Sequence, residues 1–190
     1  MKRVIAAVVV AGLAGLAGAP AARAERPEGQ ETFSAYAVDL GGAFGAATSL
    51  VQITVNRWST DDERRNLQSI FEEKGPDALL KAVQKMKPVG RIHSPDSVGH
   101  TLRFAYQMPL ASGGRRIVIG TDRPLSFDEA SRRPRSADYP FTVLEMRVDA
   151  NGRGQGNMVV ASKVTAMGET IELENYSITP VRLMQVRLDR

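Results

Sequence analysis

Residues 142–160 read "TVLEMRVDANGRGQGNMVV". Leu144, Met146 and Val148 alternate with Glu145, Arg147 and Asp149, and the chain then turns through Asn151-Gly152-Arg153-Gly154-Gln155-Gly156. It returns with Met158, Val160 and, further on, Val164 on one face. Period-two alternation on both sides of a glycine-rich turn predicts an antiparallel hairpin with one apolar face. The same turn imitates two ligand loops and fits neither. A calcium loop needs an oxygen ligand where Arg153 puts a fixed positive charge. The glycines lack the spacing of a phosphate cradle, and no helix follows them.

Strand patterns continue in both directions. Downstream, Ile171 and Leu173 alternate with Glu172 and Glu174, and "VRLMQVRLD" at 181–189 moves its apolar set from Val181 and Leu183 to Met184, Val186 and Leu188. A slip of one residue predicts a β-bulge. Upstream, "RIVIG" at 116–120 predicts a strand covered on both faces. Leu102, Phe104, Tyr106, Met108 and Leu110 alternate with polar or small residues, and "PLASGGR" links the two runs as a hairpin. Val51, Ile53 and Val55 share one face of an earlier strand, and "TFSAYAVDL" precedes it across the bend "GGAFGAA". The inward faces are expected to be Val51, Ile53 and Val55; Phe104, Tyr106 and Met108; and Leu144 and Met146.

One helical segment interrupts the strands. Thr60 and Glu63 have capping-box spacing, and Asp61, Asp62 and Glu63 suit the positive end of a helix. Leu67, Ile70 and Phe71 form its apolar stripe until Gly75-Pro76 ends one helix and starts the next. The second places Leu79, Leu80, Val83 and Met86 together, so a helical pair is expected at about 60–87. The fold class expected is α+β, mainly antiparallel β, with eight to nine strands and one helical hairpin. Strands apolar on one face must hide their edges, which favours a barrel or strongly curved sheet. A two-sheet sandwich is the alternative.

The chain opens with Lys2 and Arg3, runs through an apolar stretch from Val4 to Ala19, and reaches Ala22-Arg23-Ala24. This predicts a secretory signal peptide over 1–24 with an A-x-A cleavage site. A flexible leader is expected over 25–32 and a single domain over 33–190. The 25 Lys and Arg stand against 21 Asp and Glu, and loss of Lys2, Arg3 and Arg23 leaves 22 against 21. The basic balance is thus mainly a targeting property and gives no reason to expect nucleic acid. The chain has no cysteine, and a domain of this size can form its core without disulfides.

The blocks "NRWSTDDER", "KGPDALLKAVQKM", "GRRIVIGTDRPLSFDEA", "DYPFTVLEMRVDANGRGQG" and "IELENYSITPVRL" occur in that order. Together they resemble a family of uncharacterised secreted bacterial proteins, each a signal peptide followed by one domain. The resemblance covers most of residues 50–185; the family has no assigned activity and brings no site residue with it.

Chemistry-bearing residues are sparse. His93 and His100 lie near Asp96 in "RIHSPDSVGH", but their spacing suits neither a helix face nor a strand face, and no further His or Cys completes a metal site. Ser94 beside His93 and Asp96 does not make a triad, since neighbours in sequence cannot face one another in the required way. That stretch reads as a polar loop. Arg115, Arg116, Arg123, Arg132, Arg133 and Arg135 are the main positive concentration, most of them in the long loop "TDRPLSFDEASRRPRSADYP" at 121–140. Arginine forks suit carboxylate or phosphate. Trp58, the one tryptophan, sits where a strand meets a capped helix, either closing that joint or touching a ligand at a barrel mouth. The binding residues expected are Trp58, Arg123, Arg132, Arg133 and Tyr139, with no catalytic residue, metal or cofactor.

The function expected is that of an exported, non-catalytic protein of the periplasm or extracellular space. It binds a small apolar or anionic ligand or an envelope protein, without a transmembrane segment after cleavage. The alternative is an enzyme whose site forms around the 121–140 loop from Arg123, Asp128, Glu129 and Tyr139. Export is directly testable: the intact mass of protein recovered from periplasm or medium should correspond to a chain starting at Glu25, and a chain retaining Met1 to Ala24 would contradict the reading.

Overall fold

The computed structural model describes residues 29–39, 47–95, 97–122, 141–161, 163–167, 170–174 and 181–189. Its strands are β1 (Glu31–Asp39), β2 (Ala47–Val55), β3 (Gly90–His93), β4 (His100–Pro109), β5 (Arg115–Thr121), β6 (Phe141–Val148), β7 (Arg153–Ala161), β8 (Lys163–Met167), β9 (Thr170–Glu174) and β10 (Val181–Asp189). Eight of them close an antiparallel barrel in the order β1-β10-β7-β6-β5-β4-β3-β2, and β8 pairs with β9 in a separate ribbon. The barrel is therefore an up-and-down meander with two insertions, a helical segment between β2 and β3 and a hairpin between β7 and β10. β1 begins at Glu31, so the barrel takes up two residues of the leader expected over 25–32.

The interior is mainly apolar and continuous, with Thr121 and Thr142 buried as well. Phe33, Ala35 and Ala37 of β1, Ile53 and Val55 of β2, Leu102 and Ala105 of β4, Ile117 and Ile119 of β5, Leu144 and Met146 of β6, and Leu183 and Val186 of β10 are 0–1% exposed. They belong to one cluster of touching side chains. An eight-stranded barrel is just wide enough to be filled in this way, and small residues on β1 and β4 leave room for Phe33, Met146 and Leu102. On β7 the same economy goes further: a Cβ at Gly154 would lie 1.8 Å from the Arg147 carbonyl oxygen, so only glycine permits that approach to β6.

Two bulges correct the simple alternation. On β4 the pairing with β5 shifts between Leu102 and Phe104. Leu102 and Ala105 point inward, while Phe104, Tyr106 and Met108, expected inside, lie on the outer face. Of these, Tyr106 meets the helical segment. Tyr106 stacks on Phe104 at 6.2 Å and donates to Asp61 Oδ1 at 2.6 Å, so the Tyr106 ring is a seat for the start of the helical segment. On β10 the shift falls between Leu183 and Val186, with Gln185 at φ 52. The expected slip is there, but Met184 is 40% exposed and sits outside.

The helical segment α1 (Asp61–Lys85) is broken at Gly75, whose φ is 77. Thr60 and Glu63 form the reciprocal capping box. Phe71 and Val83 pack with Leu67, Leu79 and Leu80 across the break, as expected of a helical pair. Its far end is tied down by Arg103 at the β4 bulge, which donates to the Met86 carbonyl at 2.9 Å and to Asp122 Oδ2 at 2.8 Å. The stretch "RIH", expected in a polar loop with the histidines, forms β3 and pairs with β2. The turn expected over 151–156 is there but closes sooner: Asp149 accepts from the Asn151 and Arg153 amides at 2.8 and 2.9 Å and Gly152 has φ 73, while Arg153-Gly154-Gln155-Gly156, expected in the turn, already belong to β7 and pair with β6 from Gly154 on. Those amides hold the Asp149 carboxyl below its usual range, the Arg153 amide first.

β3 has four residues between neighbours of nine and ten, and the barrel wall above it is completed by loop. The Ser59 amide donates to the Ala105 carbonyl at 2.6 Å, and the Ser59 hydroxyl accepts from the Ala105 amide at 3.1 Å. Ser59 thus bonds β4 much as a strand residue would, at a fully buried position. Ser59→Ala should cost about 1–3 kcal/mol, the penalty of a buried amide losing its acceptor. Denaturant unfolding should show the loss, and exchange of the Ala105 amide should accelerate more than that of amides on β6.

Candidate functional site

Two places on the barrel gather charged or exposed side chains beside the core. The first is the rim where β1 starts and β2 ends. Trp58 packs into the core there and is 8% exposed. The Arg115 guanidinium lies over the Trp58 ring at 5.7 Å and over the Phe33 ring at 5.6 Å. It donates to Glu31 Oε1 at 3.1 Å and to Gln107 Oε1 at 2.6 Å, and pairs with Glu31 Oε2 at 2.8 Å. Arginine suits this place because its flat, weakly hydrated head stacks on rings while its edge binds a carboxylate. The result is a lid of indole, guanidinium and carboxylate over that end of the core. The Trp58 Nε1–H is buried and finds no hydrogen-bond partner among the described residues, which is tolerated because packing, not hydrogen bonding, holds the ring.

Beside this lid, Arg57 forms a paired hydrogen bond to Glu63, 3.0 Å at each oxygen. Glu63 also accepts from the Thr60 amide at 2.8 Å. Arg57 foremost, then the Thr60 amide, pulls the Glu63 carboxyl below its usual range, against an opposing effect of burial. Burial and then the Asp61 carboxylate push the Tyr106 hydroxyl up. The hydroxyl stays a donor to Asp61 through neutral pH, keeping the helix start on β4.

The second place lies on the outer wall. Tyr36 of β1 pairs with Leu50 of β2 on one side and Met184 of β10 on the other. These are three of the exposed large apolar residues, at 45, 38 and 40%, and directly opposed side chains on one face lie about 5 Å apart. Arg182 precedes Met184 on the outer face of β10 and Arg187 follows the bulge; both are exposed, and neither forms an ion pair among the described residues. An apolar row bordered by arginines with no ion pair among the described residues therefore crosses three strands. Among the described residues no helix is long and apolar enough to cross a membrane.

Of the binding residues expected from sequence, Trp58 is placed at the rim, and its packing supports the joint role. Arg123, Arg132, Arg133 and Tyr139, with Asp128 and Glu129, lie outside the described residues. His93 Nδ1 contacts the Ser94 carbonyl oxygen at 3.1 Å, and Asp96 lies outside the described residues. Among the described residues no group of three His, Cys, Asp or Glu is arranged to hold a metal. Sequence reasoning missed Glu31, Tyr36, Leu50 and Met184. The phase of alternation could have found the middle pair, because Tyr36 and Leu50 are large apolar residues on the polar phase of strands whose inward set is Phe33, Ala35, Ala37 and Val51, Ile53, Val55. Comparison with protein-family models, curated proteins and solved structures returned no match.

The rim yields a contrast in stability. Trp58→Ala should cost about 3–5 kcal/mol, as for a buried aromatic, and Thr60→Ala about 1 kcal/mol, as for a helix cap. Because the folded state lowers the Glu63 pKa, the stabilisation from its contacts is complete above the ordinary glutamate value of about 4.3. It is lost as pH falls through the lower folded-state value. Denaturant midpoints of Glu63→Gln and the parent chain should therefore converge at acid pH and separate above it.

Proposed function

We propose that the chain is an exported, non-catalytic protein that docks onto another envelope component through the outer wall of its barrel. The observation that carries this reading is the pairing of a packed interior with an apolar row, Tyr36, Leu50 and Met184, turned to solvent. Interior side chains that touch one another offer a small apolar ligand little area to cover. Contiguous exposed apolar groups rimmed by charge are what protein interfaces use. Arg182 and Arg187 favour a partner that carries carboxylates or phosphates around an apolar centre. Export rests on the charged start, apolar middle and A-x-A end of residues 1–24, and the secreted bacterial family that the chain resembles carries the same expectation of one domain behind a signal peptide.

Cross-linking in the envelope of the host, followed by mass spectrometry, tests the reading. Lysine-reactive and photoreactive probes placed beside Tyr36 should capture one recurrent partner, and the double substitution Tyr36→Ser, Met184→Ser should reduce that capture at least tenfold with little change in the unfolding midpoint. Native mass spectrometry supplies the opposing outcome: a small molecule that persistently accompanies the protein, and is lost when Met146 or Ile119 is enlarged, would overturn the docking reading in favour of an interior binder.

A further inference from the structure

Closing a barrel removes strand edges, and β2 is where the closure stops short. β3 pairs with β2 only over Gln52 to Val55, whereas β2 starts at Ala47 and pairs with β1 along its whole length. Residues 47–51 therefore have a strand on one side and none on the other among the described residues.

The direction of the backbone groups follows from the paired part of β2. The Asn56 amide donates to the Val89 carbonyl at 2.8 Å. The Thr54 carbonyl oxygen lies so near Gly90 that a Cβ there would be 2.0 Å from it. Even-numbered residues thus aim their N–H and C=O groups at the β3 side, and the two-residue period of a strand carries this to Thr48 and Leu50. The Leu50 carbonyl accepts a long 3.4 Å bond from the Ser49 hydroxyl; the other groups of this edge have no partner among the described residues.

We propose that this edge pairs antiparallel with the same edge of a second copy of the chain, about a two-fold axis at Ser49. In that register Thr48 of each copy faces Leu50 of the other, and each N–H meets the opposing carbonyl. An axis at Thr48 or at Leu50 pairs only one of the two residues within the free stretch. The register that satisfies both is self-complementary, as an isologous dimer requires. Ala47-Thr48-Ser49-Leu50-Val51 contains no Lys, no Pro and no charge, the devices by which natural edges resist such pairing. Symmetry about this segment brings no like charges together. It also sets Leu50 beside the other copy's Thr48, covering an apolar side chain that is 38% exposed in the single chain.

Sedimentation and light scattering of the purified protein over a concentration series, with amide exchange read at Thr48 and Leu50, test the proposal. The mass should rise to twice that of the chain, and both amides should exchange more slowly as dimer forms. Thr48→Pro removes an N–H that β1 does not use, and Leu50→Lys sets two cations near the axis. Each should hold the mass at the single-chain value with an unchanged far-UV circular dichroism spectrum. A parent protein that stays monomeric at every concentration overturns the proposal, whether those amides are open or are covered by another segment of the same chain. A dimer that both variants retain overturns it equally. If a variant fails to fold, amide exchange in the parent decides, since protection that does not depend on concentration excludes a second copy.

Discussion

Every buried backbone N–H and C=O must find a partner, and in this barrel that requirement is hardest to meet around β3. A strand of four residues stands between strands of nine and ten, so its neighbours outrun it at both ends. At one end Ser59 takes its place, giving an amide and a hydroxyl to the two backbone groups of Ala105. That single residue fixes where the chain leaves β2, and hence where Trp58 enters the core and where Thr60 can cap the helix. At the other end β2 runs on with no strand beside it among the described residues.

The helical segment is held to the outside of β4 by contacts that repeat this dependence. Its start is seated on Tyr106, whose hydroxyl meets Asp61 while Arg64 lies over the ring at 5.4 Å. Its end is gripped by Arg103, a cation at a helix C-terminus, where the exposed carbonyls and the helix dipole both favour it. Arg103 can reach there because the β4 bulge turns it outward beside Asp122. Without the bulge, Phe104 and Tyr106 would face the interior and the outer wall would have no apolar seat for the helix.

The interior and the wall divide the chemistry between them. Inside, small residues on β1, β4 and β7 make room for the large ones, and the cluster that results is nearly sealed from solvent. At the rim, Arg115 and Glu31 neutralise each other at 17 and 11% side-chain exposure, a pair in which loss of either partner would strand a charge at low dielectric. Among the described residues, Tyr36, Leu50 and Met184 meet solvent on the outer wall, bordered by Arg182 and Arg187.

Local pattern determined the elements of this protein. Alternation placed β2, β6 and β7, the apolar run "RIVIG" placed β5 although only its Ile117 and Ile119 face is fully buried and not both faces as expected, the Asn-Gly turn set the central hairpin, and Thr60 with Glu63 and Gly75 with Pro76 marked the helical pair, because each of these rests on interactions within a few residues. It also announced the bulge in β10, since a slip in alternation is itself local. What only the tertiary structure decided are matters of long-range pairing. Closure into a barrel rather than a sandwich depends on β1 meeting β10 across the length of the chain. The outward turn of Phe104 and Tyr106 depends on a bulge hidden by apolar residues on both phases of β4, because the helix supplies a second apolar environment. "RIH" becomes a strand although its composition is that of a polar loop, because β2 and β4 each present a ladder of backbone groups that must be satisfied. The apolar row could not be read in full, because Tyr36, Leu50 and Met184 are far apart in sequence and meet only when three strands come into register.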